Sequence, residues 1–316
     1  EDYWIYYLLF VLVIVLSALF NIGYSLRFVK LQITQLNFGN YLKPFFILGF
    51  RAILTSMYTT FNIVYLAFAT STTEVGYYTT ATKLYEVFLA LFTAFSGVMI
   101  PRMSALVAEN KMDEFKRLTN KSYDLLFSFA FPAIIIAIVF APQIVLIVCG
   151  PGYEGAITPL RLIMPLVLII GYEQILILQV LLPLKKDNAI FINSIFGAVT
   201  GVLLNIILVK TYKSSGSAIV WIASELVVLI SGQYFVYKYL NYNFPYRKFF
   251  MYIIYSIPAV FFSLVLFKFS PIKGFLLVLL ASLFVFIYFG FVLIYGVKSE
   301  LALEYKHKLL NKLKNK

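Results

Sequence analysis

An all-α polytopic membrane fold follows from three features of the 316-residue chain. Apolar residues gather in nine stretches of roughly twenty, the length a helix needs to cross a hydrocarbon core of about 30 Å. The composition is 62% hydrophobic and 13% charged, with a mean hydropathy of +0.90, more apolar surface than a water-soluble domain hides. Lys and Arg fall in alternate gaps between the stretches. Barrel strands would alternate apolar and polar over about ten residues, and these runs are longer and do not alternate. Backbone groups in lipid must be satisfied internally, so helices remain.

The spans are expected at residues 3–22, 45–69, 76–100, 123–148, 158–182, 188–209, 216–237, 251–267 and 274–297. Pro44 suits the first helical position of the second. Pro101 and Pro183 lie where the third and fifth should close, while Pro132, Pro165 and Pro258 lie inside spans and should kink them.

Short basic loops stay on the cytoplasmic side. Arg27, Lys30 and Lys43 fall between the first two spans, and Arg102, Lys111, Lys116, Arg117 and Lys121 follow the third. Lys185 and Lys186 follow the fifth, Lys238, Arg247 and Lys248 the seventh, and six lysines crowd the tail. The opposite gaps hold only Lys210, Lys213, Lys268 and Lys273. The tail is therefore expected in the cytoplasm, and the net charge of +12 reflects topology and anionic lipid rather than nucleic acid. Residues 102–121 and the tail (Leu301, Tyr305, Leu309, Leu313) pair an apolar face with charges, as helices lying on the inner leaflet would. The chain opens on Glu1 and enters its first span at once, with no signal-peptide pattern, so it reads as the C-terminal portion of a longer protein.

Enzyme chemistry finds little support. The gaps are too short for a catalytic domain, no phosphate-cradling G-x-x-x-x-G-K-[ST] occurs, and His307 is the lone histidine. Cys149 is the lone cysteine, so neither an internal disulfide nor a metal site is expected, and no cofactor is implied.

Charge inside the membrane costs about 2.5–3.5 kcal/mol on insertion scales and usually faces a bundle interior or an aqueous cavity. In the second span Arg51, Thr55, Tyr58, Asn62 and Tyr65 recur at three- and four-residue steps, and in the third Thr79, Lys83, Glu86, Ala90, Thr93 and Gly97 do the same. Two adjacent helices thus each present a polar stripe, as two walls of a wet cavity would. Arg51 and Lys83 also lie only about 10 Å from a span end, at 1.5 Å per residue, where long side chains can snorkel. Lys83 and Glu86 can pair at i, i+3. Glu173, with Gln174 and Gln179, and Glu225 lie deep in the fifth and seventh spans as candidates for ion coupling or for interhelical bonding. Asn193 and Asn205 read as interhelical glue, and Arg161 as an interfacial anchor.

Leu42-Lys43-Pro44 opening a span, Ser71-Thr72-Thr73-Glu74-Val75-Gly76-Tyr77-Tyr78-Thr79-Thr80-Ala81-Thr82-Lys83, and Ile100-Pro101-Arg102-Met103-Ser104 resemble the bacterial polysaccharide (O-antigen and capsule) flippases of the multidrug/oligosaccharidyl-lipid/polysaccharide exporter superfamily. The specific similarity covers residues 71–121; elsewhere it is one of hydropathy and loop spacing. The resemblance implies the C-terminal part of a fourteen-helix, two-bundle transporter. Residues 1–25 would end the first bundle, 26–43 form a cytoplasmic linker, 44–238 the second six-helix bundle, and 239–316 a final two-helix hairpin with a basic tail. It also implies a bacterial cytoplasmic-membrane protein that flips a polyprenyl-diphosphate-linked oligosaccharide from inner to outer leaflet by alternating access. Partners would be that substrate, membrane lipids and other polysaccharide-assembly proteins. Arg51 and Lys83 would hold the diphosphate, with Thr55, Tyr58, Asn62 and Glu86 beside them. A lipid II flippase shares fold and cationic cavity and stays open as an alternative; a drug or cation antiporter would want more acidic cavities. A membrane-embedded sugar polymerase would need a large outer loop, which the gaps do not provide.

Overall fold

The structure, a computed structural model, describes residues 3–28, 39–57 and 59–297, and divides into compact units at residues 1–45 and 46–316. The amphipathic tail, Tyr58 and most of the linker at 29–38 lie outside the described residues. The first unit carries α1 (Tyr3–Ser25), an apolar run without a polar face, and the start of α2 (Gly39–Ser56).

The second unit continues through α3 (Thr60–Ala69), α4 (Thr72–Ala108), α5 (Met112–Val139), α6 (Ala141–Cys149), α7 (Ile157–Ile163), α8 (Leu166–Gln174), α9 (Asp187–Leu204), α10 (Lys210–Leu240), α11 (Tyr246–Phe269) and α12 (Gly274–Phe291). No strand occurs among the described residues. Eight helical runs among them are long and apolar enough to span a membrane. One, Asp187–Leu240, has 54 residues and breaks at Lys213, whose φ of +50° leaves the helical region. Two of the nine expected spans lie on either side of that break. α10 then packs back along α9, with Ser231 donating to Asn193 across the pair. Asn193 is thus interhelical glue, whereas Asn205 bonds within its own helix, to the Gly201 carbonyl.

Two elements depart from the sequence expectation. Residues 102–121 are not a separate surface helix. α4 runs through Pro101 and ends at Ala108. The chain then reverses in a Schellman turn: Lys111 N–H bonds the Leu106 carbonyl at 2.9 Å, Asn110 N–H bonds Val107 at 3.1 Å, and Asn110 takes φ +56°. The apolar residues Met103, Leu106, Phe115 and Leu118 are consequently buried in the hairpin tip, packed with the bundle core rather than facing lipid headgroups.

The second departure lies in the expected span 45–69, where α2 stops at Ser56 and α3 resumes at Thr60. Met57 N–H closes the first segment on Ile53 and Leu54, and Thr59 Oγ1 donates to the Thr55 carbonyl at 3.1 Å. The span at 158–182 is jointed at the proline expected to kink it. α7 and α8 meet at Met164–Pro165, and Ile175–Leu181 then widens into a π-helix. By contrast α5 and α11 continue through Pro132 and Pro258.

The core is aromatic at the basic end. Tyr123 stacks on Tyr172 at 4.9 Å and on Tyr242 at 6.2 Å between ring centres. Hydrogen bonds from Tyr172 to Gln233, Gln233 to the Tyr242 carbonyl and Tyr242 to Asn120 tie α5, α8 and the chain after α10 together. Beside them Lys248 meets the buried Asp124 at 2.7 Å, fixing the start of α11 on α5. At the other end Arg161 donates Nε to the Ile138 carbonyl at 3.0 Å, capping the last turn of α5. That contact, rather than a purely interfacial position, accounts for its placement.

Candidate functional site

α3, α4 and α10 meet where the second span is broken, and the residues that fix this meeting come from the 71–83 motif. Ser71 opens α4 as an N-cap, accepting from Glu74 N–H at 3.4 Å. Glu74 turns its own carboxylate across to α10, where Ser214 N–H donates to it at 3.2 Å and Lys213 Nζ lies 3.8 Å away. It thereby caps the helix that restarts after the Lys213 break. Tyr77 lies so close to Gly155 that a Cβ there would stand 2.2 Å from its ring, so only glycine fits. Tyr78 accepts from Asn62 Nδ2 at 3.0 Å, and the same amide donates to the Ser217 carbonyl at 2.9 Å, joining α3, α4 and α10.

Next to this junction is a recess of about 360 Å³ lined by Thr59, Thr60, Tyr78, Thr82, Tyr85, Glu86 and Trp221, with Ile63 and Leu89 between them. Its polar lining comes from the broken ends of the second span and from one face of α4. Irregular backbone at membrane depth is tolerated where it is buried in protein or lines a wet cavity. Tyr85 stands edge-on to Trp221, ring centres 5.2 Å apart and planes at 77°. The indole N–H donates to Glu225 at 3.0 Å, which holds the Trp221 ring in place. Glu173 of α8 brings a second carboxyl against Glu225.

The sequence-expected residues divide between this recess and its surroundings. Glu86 lines the recess and pairs with Lys83 at 2.8 Å, both side chains exposed (54% and 75%), so the pair occupies an open face of α4. Asn62 is fully buried behind Tyr78. Thr55 is half-buried at the end of α2, lending its carbonyl to Thr59. Arg51 lies in α2 with its side chain outside the described residues, as is Tyr58. Glu225 is buried in α10 behind Trp221. Gln174 bonds Thr93 at 3.0 Å, and Gln179 links Ser122 (2.7 Å) to Ser96 (3.1 Å), stitching α4, α5 and the fifth span. Sequence reasoning missed Thr59, Thr60, Thr82, Tyr85 and Trp221. Two signals pointed to them: the hydroxyl pair Thr59-Thr60 mid-span, and Trp221 one helical turn before Glu225. No cluster of acidic, His or Cys side chains able to hold a metal occurs among the described residues.

Comparison with known proteins bears on family and fold. The profile of a family described as "Polysaccharide biosynthesis protein" matches residues 5–158. The "Putative O-antigen transporter" of Escherichia coli (strain K12) is 27% identical over 173 residues, 55% of this chain and 41% of that protein. The "Probable flippase AglR" of Haloferax volcanii is 24% identical over 169 residues, 53% of this chain and 35% of that protein. The chain thus spans less than half the length of these curated relatives. Among solved structures, the "Lipid II flippase MurJ, inward closed conformation" superposes with a TM-score of 0.67 over 86% of this chain and 58% of that one, at 18% identity, a likeness of fold. These matches liken the chain to a polysaccharide-biosynthesis family and to proteins described as a transporter and a flippase.

Proposed function

We propose, on the premise of this kinship with polysaccharide flippases, that the chain is part of a transporter moving a polyprenyl-diphosphate-linked oligosaccharide from the inner to the outer leaflet of a bacterial cytoplasmic membrane. The observation that carries the reading is the open Lys83–Glu86 face beside the recess at the broken second span. A headgroup of charged phosphates and hydroxyls cannot enter hydrocarbon without partners, and broken helices lining midplane cavities are how many secondary transporters supply them. In this reading Arg51 and Lys83 hold the diphosphate, Thr55, Tyr58 and Glu86 contribute to the same wall, and Asn62 stands behind it, tied to Tyr78. The tail lies in the cytoplasm, and residues 44–238 form the second bundle of a two-bundle, fourteen-helix protein that works with other assembly proteins. The test is reconstitution of the full-length protein in liposomes carrying the cell's own lipid-linked oligosaccharide. Outer-leaflet exposure above that of empty liposomes is expected, and none would overturn the proposal. The fold likeness to a lipid II flippase favours one second reading. Rescue of cells depleted of their lipid II flippase would select that reading instead.

Glu173 and Glu225 form the coupling element in this scheme. Glu173→Gln or Glu225→Gln is expected to reduce the response of transport to an imposed proton or sodium gradient by about 5- to 150-fold, the usual range of coupling between sites. A gradient response equal to wild type in both variants removes the pair from the mechanism and leaves it as a tie between α8 and α10.

A further inference from the structure

We infer that the recess between α3, α4 and α10 is a carbohydrate subsite, in which a sugar ring packs on the Tyr85–Trp221 pair and its hydroxyls meet Thr59, Thr60, Thr82 and Tyr85. The inference rests on the transport function proposed above and assigns the part of the substrate that this wall receives.

Size, chemistry and an unsatisfied group point the same way. The volume of about 360 Å³ lies within the range of about 300–1,000 Å³ typical of small-molecule sites. A pyranose has an apolar C–H face and a rim of hydroxyls, and the recess offers both complements: the accessible edges of two largely buried aromatic rings (Trp221 8% and Tyr85 1% exposed), and threonine hydroxyls from the break in the second span and from α4. Aromatic side chains are large, rigid apolar platforms of this kind. Trp221 is held by its bond to Glu225, so it enters binding already oriented. Thr82 donates its hydroxyl hydrogen to the Thr79 carbonyl at 2.8 Å, which leaves the oxygen free to accept. The Tyr85 hydroxyl is buried and has no hydrogen-bond partner among the described residues. Buried polar groups are nearly always paired, and a ligand hydroxyl would supply what the protein does not. Lys83 pairs with the recess-lining Glu86 at 2.8 Å, which puts a cation at the margin of the recess.

Tyr85→Phe and Thr82→Val in the full-length protein test this. Tyr85→Phe deletes one oxygen that bonds nothing in the protein, so thermal unfolding should not move downward. Two probes are compared in detergent: the lipid-linked oligosaccharide pool extracted from the producing cells, and the same pool stripped enzymatically to bare polyprenyl diphosphate. Wild type is expected to prefer the glycosylated probe. Each variant should lose about 2- to 10-fold of that preference, the size of one hydrogen bond, with binding of the bare probe unchanged. Variants that keep the full preference overturn the subsite, as does a wild type that binds both probes equally, while the transport proposal survives either result. A wild type that binds neither probe overturns the transport proposal itself.

Discussion

Lys83→Ala is expected to abolish export while leaving the protein inserted and folded. The ammonium carries 75% side-chain exposure and pairs with Glu86 within the same helix, so its structural role is small. An exposed pair of this kind contributes about 0–1 kcal/mol. Its role toward a diphosphate is larger, because a hydrogen bond to a charged group contributes about 1.5–3 kcal/mol, or roughly 10- to 100-fold in binding at 1.4 kcal/mol per decade. Removal also leaves Glu86 unpaired at the recess, where its charge opposes an anionic headgroup. Lys83→Arg keeps the charge and should retain much of the activity, whereas Lys83→Gln should behave like alanine. Surface polysaccharide measured in cells, with membrane content checked by immunoblot, separates these outcomes. Normal polysaccharide in the alanine variant would remove Lys83 from the transport pathway.

Asp124→Asn is the substitution expected to cost most stability. Asp124 is 2% exposed and Lys248 34% exposed, their atoms 2.7 Å apart. Breaking a buried pair by neutralising one member costs about 3–5 kcal/mol, and the partial exposure of Lys248 places this case toward the lower end. The loss falls where α11 joins α5, next to the Tyr123–Tyr172 stack. Replacing both members with apolar residues, Asp124→Leu with Lys248→Met, should recover most of the loss, since the desolvation of both charges disappears together. Thermal unfolding in detergent, followed by loss of the monodisperse peak, reads the difference. An Asp124→Asn variant as stable as wild type would show that the pair contributes little to the bundle.

Much of this fold was legible in the sequence because lipid leaves few choices. Runs of twenty apolar residues in a chain with 13% charge announce helices, and eight long apolar runs, one turned at Lys213, appear in the structure. Of the local interruptions only the joint at Pro165 was legible. Pro101 reads as a helix end, yet α4 continues through it to Ala108. Between the end of α2 at Ser56 and the start of α3 at Thr60 the sequence carries neither proline nor glycine; only Thr59-Thr60 hints at a place where side chains compete with the backbone for its hydrogen bonds. The Asn110 turn is a third case, since asparagine takes the left-handed conformation readily without advertising it as glycine does.

The candidate site was half legible. Three- and four-residue spacing singled out Lys83 and Glu86, and the structure sets them side by side on an exposed face. Spacing within one helix says nothing about what a distant helix contributes, and so Trp221, 135 residues beyond Glu86 in the chain, escaped notice. Asn62 shows the converse limit. A polar residue on the right stripe is drawn instead into a junction with Tyr78 and Ser217, because a buried amide needs partners.

The central claim is that one face of α4 looks into water within the membrane. Single cysteines placed at 79, 83, 86, 90 and 93, in full-length protein from which Cys149 and any other native thiol have been removed, test it most directly when treated in intact cells and inverted vesicles with a membrane-impermeant thiol reagent. Labelling at those five positions from at least one side, with none at the neighbouring exposed apolar positions 87, 91 and 98, is the expected pattern. No labelling at 83 and 86 from either side, or equal labelling around the whole helix, would contradict it.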